Sequence, residues 1–378
     1  MKNNVRNIYI DVMKGILITL VVIGHLPFFE YDSRTLTLIY SFHMHAFLII
    51  GGILSHINEN TKLISIIIKR VKNTLFPYFI FSIISLITIP TQNLSQKFNA
   101  VIVMFRGIGD PINAINLPLW FLTFYFIVML LFEIIEWISF RIKVLSFGRD
   151  YNGNNEKTFF VFLLNILFIT VIMIVSYLYA RYYKMPRIPF NIEIAGFCIG
   201  FVFLGKILGK YTPIAFKEIK KNTAIFIFTI LLITLLLFIF IISWYIFSMY
   251  NGRIDLNARD YKNAFIMYVD AILGFYIFAV ISYIISKIPV INNILSFIGK
   301  NSLYILAYHI PAAFFANVYL YPRLPGTIIY LLTHNSVPSI MALSFIGISF
   351  SLIIGCIHNC INSFAKGINE ERQYKRNH

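Results

Sequence analysis

Charge is what this chain has least of. Only 13% of its 378 residues are Asp, Glu, Lys or Arg, and 58% are hydrophobic. A soluble globular chain carries about 25% charged residues, so the deficit excludes a large soluble enzyme. The same hydrophobicity excludes a disordered protein. Cysteine is scarce as well. Cys198, Cys356 and Cys360 all fall in apolar runs, which excludes a secreted disulfide scaffold. Acidic residues number 16 against 32 basic ones, for a net charge of +16. On a polar chain that balance would suggest nucleic acid; on this one it suggests Lys and Arg kept in cytoplasmic loops, with no nucleic-acid partner. A cleavable signal peptide is not visible either: the first apolar run is long, holds Asp11 and Lys14, and lacks a small-residue cleavage site.

What the chain does have is long apolar runs. A bilayer core takes about 20 mostly apolar residues per helix. Ten such runs lie near 9–29, 35–56, 75–91, 117–138, 158–180, 188–208, 223–250, 264–286, 302–322 and 338–361. The expectation is an all-α integral membrane protein of about ten transmembrane helices. Residues 98–107 are apolar but too short to cross, and read as an interfacial or re-entrant piece. The termini and one set of alternating connections hold 21 Lys and Arg; the other set holds 10. That bias makes both termini cytoplasmic. The longest connection, about 92–116, is too small for a folded domain. Residues 1–365 therefore read as a single polytopic membrane domain, followed by a cytoplasmic basic tail at 366–378.

Ionisable side chains in hydrocarbon are costly and face a bundle interior or an aqueous cavity. The first helix carries Asp11, Lys14 and His25. Eleven residues separate Lys14 from His25, about three turns plus 20°, so both lie on one face roughly 16 Å apart. Asp11 sits one turn before Lys14 and can pair with it. This polar stripe resembles a tunnel wall. The second helix carries Ser41, His43 and His45 at the depth of His25, within reach through the short 30–34 turn. His43 and His45 differ by about 200° around a helix, so at most one points with His25. No Cys or Asp is placed to complete a zinc shell, so no metal is expected and a histidine general base is the stronger reading. Asp270 in the eighth helix is either functional or a structural partner. Cys356-Ile-His-Asn-Cys360 has no second ligand pair and reads as incidental.

These residues also carry a family resemblance. The segment from Asp11 through Lys14-Gly15 to Gly24-His25 resembles the first helix of the membrane-bound acyltransferase-3 family, in particular its fucose 4-O-acetylase-like branch. Ser41-Phe-His43-Met-His-Ala-Phe-Leu-Ile-Ile-Gly-Gly52 is similar to that family's second-helix segment. Lys69-Arg70 leading to Pro77-Tyr78, then Leu119-Trp120-Phe121-Leu122, and Gly299-Lys300-Asn301-Ser302-Leu303-Tyr304 running on to His309 follow in the family's order. The resemblance implies O-acylation of a cell-surface polysaccharide or lipid-linked glycan by an acyl group, usually acetyl, from cytoplasmic acyl-CoA. It implies no permanently bound cofactor, acetyl-CoA being a substrate, and a multi-pass place in the cell membrane. The family's essential histidine, closing its basic-X10-His pattern, falls on His25, and the basic residue, commonly Arg, is Lys14 here. A lysine holds a phosphate or thioester region as a point charge and not as a bidentate fork. His43 matches the second-helix histidine, while His45 stands where many relatives have Pro and Gly51 where many have Ser.

Physical logic points the same way. The donor is cytosolic and the acceptor outside, which calls for a cationic inner mouth and a base farther out. Lys14, with Asp11 beside it, and Lys69, Arg70 and Lys72 supply the inner charge for acyl-CoA. His25 and His43 are the expected catalytic pair, His25 as base and His43 orienting or sharing the proton. Trp120 N–H, Ser41 or Tyr78 could each donate to a thioester oxyanion. Trp120 with the basic aromatic run Arg181-Tyr182-Tyr183-Lys184-Met-Pro-Arg187 is the expected acceptor side. A glycan or lipid transporter would use the same polar path, but usually shows paired broken helices, and none is found; a proton-coupled channel or sensor rests on the histidines alone.

Overall fold

The computed structural model describes residues 8–26, 33–89, 93–110, 112–147, 154–183, 187–215, 223–333 and 337–377; among these, side chains at 154, 155, 157, 210–215, 223–234, 321, 330, 331, 333 and 359–377 are not described. In chain order the helices are α1 (Ile8–Gly24), α2 (Arg34–Ile53), α3 (Leu63–Arg70), α4 (Phe76–Thr88) and α5 (Leu94–Arg106). They continue with α6 (Trp120–Phe147), α7 (Asn154–Tyr182), α8 (Ile192–Ala215), α9 (Thr223–Asn251) and α10 (Ala264–Ile285). The last are α11 (Pro289–Lys300), α12 (Ser302–Phe315), α13 (Gly326–Thr333) and α14 (Val337–Asn377). Among the described residues there is no strand beyond one isolated bridge between Asp255 and Asp260. Among the described residues, eight stretches are long and apolar enough to cross a membrane: Arg34–Ile53, Leu63–Thr88, Leu117–Phe147, Thr158–Tyr182, Pro189–Gly209, Ala264–Ile285, Ser302–Leu320 and Val337–His358. α1, at 17 residues, and the apolar stretch Leu235–Asn251 of α9 are shorter.

Polarity runs inside out relative to a soluble protein. On α7, Phe159, Leu163, Leu167, Val171, Ile174 and Leu178 are exposed at helical spacing, a continuous apolar stripe suited to hydrocarbon and costly in water. Meanwhile Asp11, His43, His45, Glu133, Glu136, Asp270 and His309 are buried. An apolar exterior around polar interior groups is what a multi-pass membrane protein requires.

The chain divides into two compact units, one of Met1–Glu30 with Ala279–His378, the other of Tyr31–Phe278. In the first, α1 packs along α11. Glycines permit that approach: a Cβ on Gly15 would fall on the Leu295 carbonyl, and one on Gly299 on the Asp11 carbonyl. α12 and α14 pack together and against α1. In the second unit α2 lies against α8 in the same manner, with Gly52 facing the Val202 carbonyl and Gly205 the Ile49 carbonyl.

Several boundaries differ from those expected from sequence. The third span, expected at 75–91, begins at Leu63, and Lys69, Arg70 and Lys72 lie on it and not in a loop. It passes through a π-helical turn at Val71–Leu75, just before Pro77. Pro77 has no N–H to give the preceding turn, so the ladder shifts there. The connection at 287–301 is mostly the helix α11. Residues 98–107 lie largely on α5, whose 13 residues, roughly 20 Å long, are too few to cross. α5 is capped by the Asn93 side chain and ended by Gly107 at φ 60°. The final helix runs on to Asn377, through the expected tail.

Candidate functional site

In the first unit, three helices converge on a cavity of about 250 Å3. α1 brings Val22 and the turn that ends it His25, α12 brings His309 and Ala312, and α14 brings Ile346 and Gly347. The rings of His25 and His309 meet edge to face, with centroids 5.1 Å apart. His25 Nδ1 lies 2.7 Å from the Val21 carbonyl and His309 Nδ1 2.9 Å from the Ile305 carbonyl. A carbonyl oxygen only accepts, so in both rings Nδ1–H donates and Nε2 carries the lone pair. His309 is 3% exposed, and its Nε2 has no hydrogen-bond partner. Both histidines line one mostly apolar cavity, a setting in which an imidazole can serve as a general base. The local cause is the helix itself: a histidine aimed back along its own helix finds the carbonyl one turn earlier. Lys14 and Asp11 lie on the same helix, Lys14 half-buried and Asp11 buried.

The second unit holds His43, 2% exposed, with its Nδ1–H likewise donating to the Ile39 carbonyl at 2.6 Å. Its ring stands against Tyr40, 5.0 Å between centroids. His45 is buried against Phe201, and neither of its ring nitrogens has a hydrogen-bond partner. Two of the expected oxyanion donors are committed elsewhere. The Ser41 hydroxyl donates to the Leu38 carbonyl and accepts from Trp244 Nε1, each at 2.9 Å, and the Tyr78 hydroxyl donates to the Met104 carbonyl at 2.8 Å. Trp120 opens α6 and packs on Phe124. With Tyr78, Ser85 and Asn116 it lines a small cavity of about 30 Å3, room for a single water. Asp270 accepts from the Ser248 hydroxyl at 3.3 Å.

About 20 Å farther along α6 lies a charged cluster inside the same unit. Arg70 donates through Nε to Glu133 Oε2 at 2.7 Å and through Nη2 to Oε1. Ser55 donates to the same carboxylate at 3.2 Å. One turn on, Glu136 pairs with Lys206 at 3.2 Å, and Lys206 also donates to the Ser55 carbonyl. Arg70, expected to meet acyl-CoA, is therefore bound to a buried carboxylate, while Lys69 beside it is exposed.

The expected acceptor loop splits in two. Arg181 and Tyr182 are exposed at the end of α7. Arg187 is a brace: it donates to the Gly109 carbonyl at 2.7 Å, while its own carbonyl accepts from Arg106 at 2.9 Å. Asn257 completes the knot, exchanging hydrogen bonds with the Gly109 N–H and carbonyl. Arg259 donates to the Tyr183 carbonyl and stands 3.6 Å from Glu193. Asp110, in the connection, has its carboxyl held below the ordinary range. Partial burial would raise it, but hydrogen bonds from the Asn113 side chain and from the Ile112 and Asn113 N–H groups, with the Arg187 charge, outweigh that. Lys184 lies outside the described residues.

Sequence reasoning placed no role on His309, Glu133, Glu136 or Lys206. His309 had a signal, an ionisable residue two positions before Pro311 in an apolar run. Among the described residues, no three His, Cys, Asp or Glu side chains are grouped to hold a metal ion. A family model described as an acyltransferase domain, that of acyltransferase family 3, matches residues 7–358. No curated protein and no solved structure matches the chain.

Proposed function

The chain belongs to the acyltransferase-3 family, and from that premise we propose that it is a membrane O-acyltransferase using acyl-CoA, with acetyl the family's usual group. The acceptor is a hydroxyl of a surface polysaccharide or lipid-linked sugar. The observation that carries this reading is the His25–His309 pair, whose rings meet and whose side chains both line one cavity. His25 Nε2 takes the proton of the acceptor hydroxyl as its oxygen attacks the thioester carbonyl. The tetrahedral oxyanion collapses, the C–S bond breaks, and the coenzyme A thiolate leaves with the proton that His25 returns. His309 Nε2 holds the hydroxyl or shares its proton. His43, on α2 of the second unit, is the other expected catalytic histidine, as an orienting or proton-sharing group. With about ten spans and both termini cytoplasmic, Lys14 and Asp11 stand at the inner mouth, and Lys14 and Lys69 attract the coenzyme A phosphates. Arg181, Tyr182, Arg187 and Trp120 form the acceptor side in the cell membrane, with Arg187 acting through the loop it braces.

The test compares surface polysaccharide by NMR from cells carrying wild type or His25→Ala at equal protein level. The expected result is loss of the O-acyl signal, a general base contributing about 10²–10⁴-fold. Full acylation in the variant overturns the assignment, and glycan movement without acyl transfer by the wild type replaces the enzyme with a transporter.

A further inference from the structure

Resting on the acyltransferase reading, we infer that the cavity beside His25 and His309 seats the acyl chain of the donor, and that it selects an uncharged aliphatic chain longer than acetyl. His309, nine-tenths buried or more, lines this space, and its Nε2 has no hydrogen-bond partner. A reacting carbonyl near the two Nε2 atoms would leave the chain beyond it against Ala312, Ala316 and Leu343. Those three are apolar, and among the described residues no Lys or Arg lines the cavity. A carboxylate-tipped chain such as succinyl would therefore enter with its charge uncompensated, a costly burial. Size argues for length. A dry apolar cavity of about 150 Å3 is enough to hold benzene, and this one measures about 250 Å3. An acetyl group leaves most of it unfilled, whereas by the same measure a chain of about six to ten carbons fills it. Gly347 on the third wall sets the depth. A Cβ there would have Val22 Cγ1 as its nearest neighbour, at 3.7 Å, so a methyl is accommodated by the helices and takes its volume from the cavity.

The experiment measures affinities of coenzyme A, acetyl-CoA, butyryl-CoA, hexanoyl-CoA and succinyl-CoA for the full chain in nanodiscs, by calorimetry. Two further methylenes buried in an apolar pocket make butyryl-CoA bind about tenfold tighter than acetyl-CoA. Succinyl-CoA binds no tighter than acetyl-CoA. Gly347→Ala and Ala312→Leu each reduce the advantage of hexanoyl-CoA over acetyl-CoA several-fold. Equal affinity for all thioesters, or a hexanoyl advantage untouched by Gly347→Ala, overturns the pocket. Absence of binding by every coenzyme A species, with the wild type folded, overturns the acyltransferase reading itself. Ala312→Leu adds to the result only where its melting transition persists; Gly347→Ala, which meets no clash, decides the matter alone.

Discussion

The Arg70–Glu133 pair offers a perturbation whose size follows from geometry. Glu133 is 1% exposed, and Arg70 supplies it with two charge-assisted hydrogen bonds, Ser55 adding a third. Arg70→Met leaves that carboxylate buried with the Ser55 hydroxyl and without its cation. Removing one partner of a buried pair costs about 3–5 kcal/mol. Glu133→Leu strands the Arg70 guanidinium and costs about the same. Were the two sites independent, the double variant would lose about 6–10 kcal/mol. Because they are one pair, the double variant leaves no stranded charge and loses no more than either single. Thermal melting of the four proteins in nanodiscs reads this directly. An additive double variant, or an Arg70→Met protein that melts with the wild type, refutes the pairing. Binding of coenzyme A to the same proteins then assigns Arg70 its role. Wild-type affinity in the folded double variant makes Arg70 structural, and a loss confined to affinity restores it as a phosphate ligand.

Glycine at the α1–α11 crossing gives a second prediction: Gly15→Ala lowers the melting midpoint, since its Cβ would strike the Leu295 carbonyl, at a cost of about 1–3 kcal/mol. Gly347→Ala, with no neighbour nearer than 3.7 Å, leaves the midpoint unchanged or raises it; equal losses at both positions would count against the crossing. A third concerns pH. Asp110 has a depressed carboxyl in the folded chain, so its contribution is fully present above the ordinary Asp value near 3.9 and fades as pH falls through the folded value. Asp110→Asn therefore lowers the midpoint at pH 7 by more than at pH 3, and a difference that is constant with pH contradicts the loop geometry.

How far the sequence could be read depends on whether a feature is local. The helices follow from apolar runs, and His25 stands out because an ionisable residue in such a run needs a reason to be there. The third span was drawn short for a physical reason: Lys69, Arg70 and Lys72 resemble a loop until Glu133, 63 positions away, is known to neutralise Arg70. Glu133 and Glu136 passed unnoticed because two acids within the apolar run of α6 do not break its hydropathy, and only packing shows both to be paired. Ser41 and Tyr78 looked available as donors because a sequence does not show which main-chain carbonyl a hydroxyl has already met.

The histidines show what tertiary structure adds to that local reading. His25, His43 and His309 each give Nδ1–H to the carbonyl four residues earlier. That bond is available to any histidine on a helix whose rotamer turns toward the preceding turn, so the tautomer is set locally and leaves Nε2 basic in all three. What differs is the surroundings. His45, two residues from His43, lies fully buried against Phe201 with neither nitrogen bonded. His25 and His309 share a cavity formed where α1, α12 and α14 meet. A basic nitrogen becomes a base for chemistry only where a substrate can approach it. By that criterion the pairing of His25 with His309, across nearly the whole length of the chain, is the more specific site than any histidine taken alone.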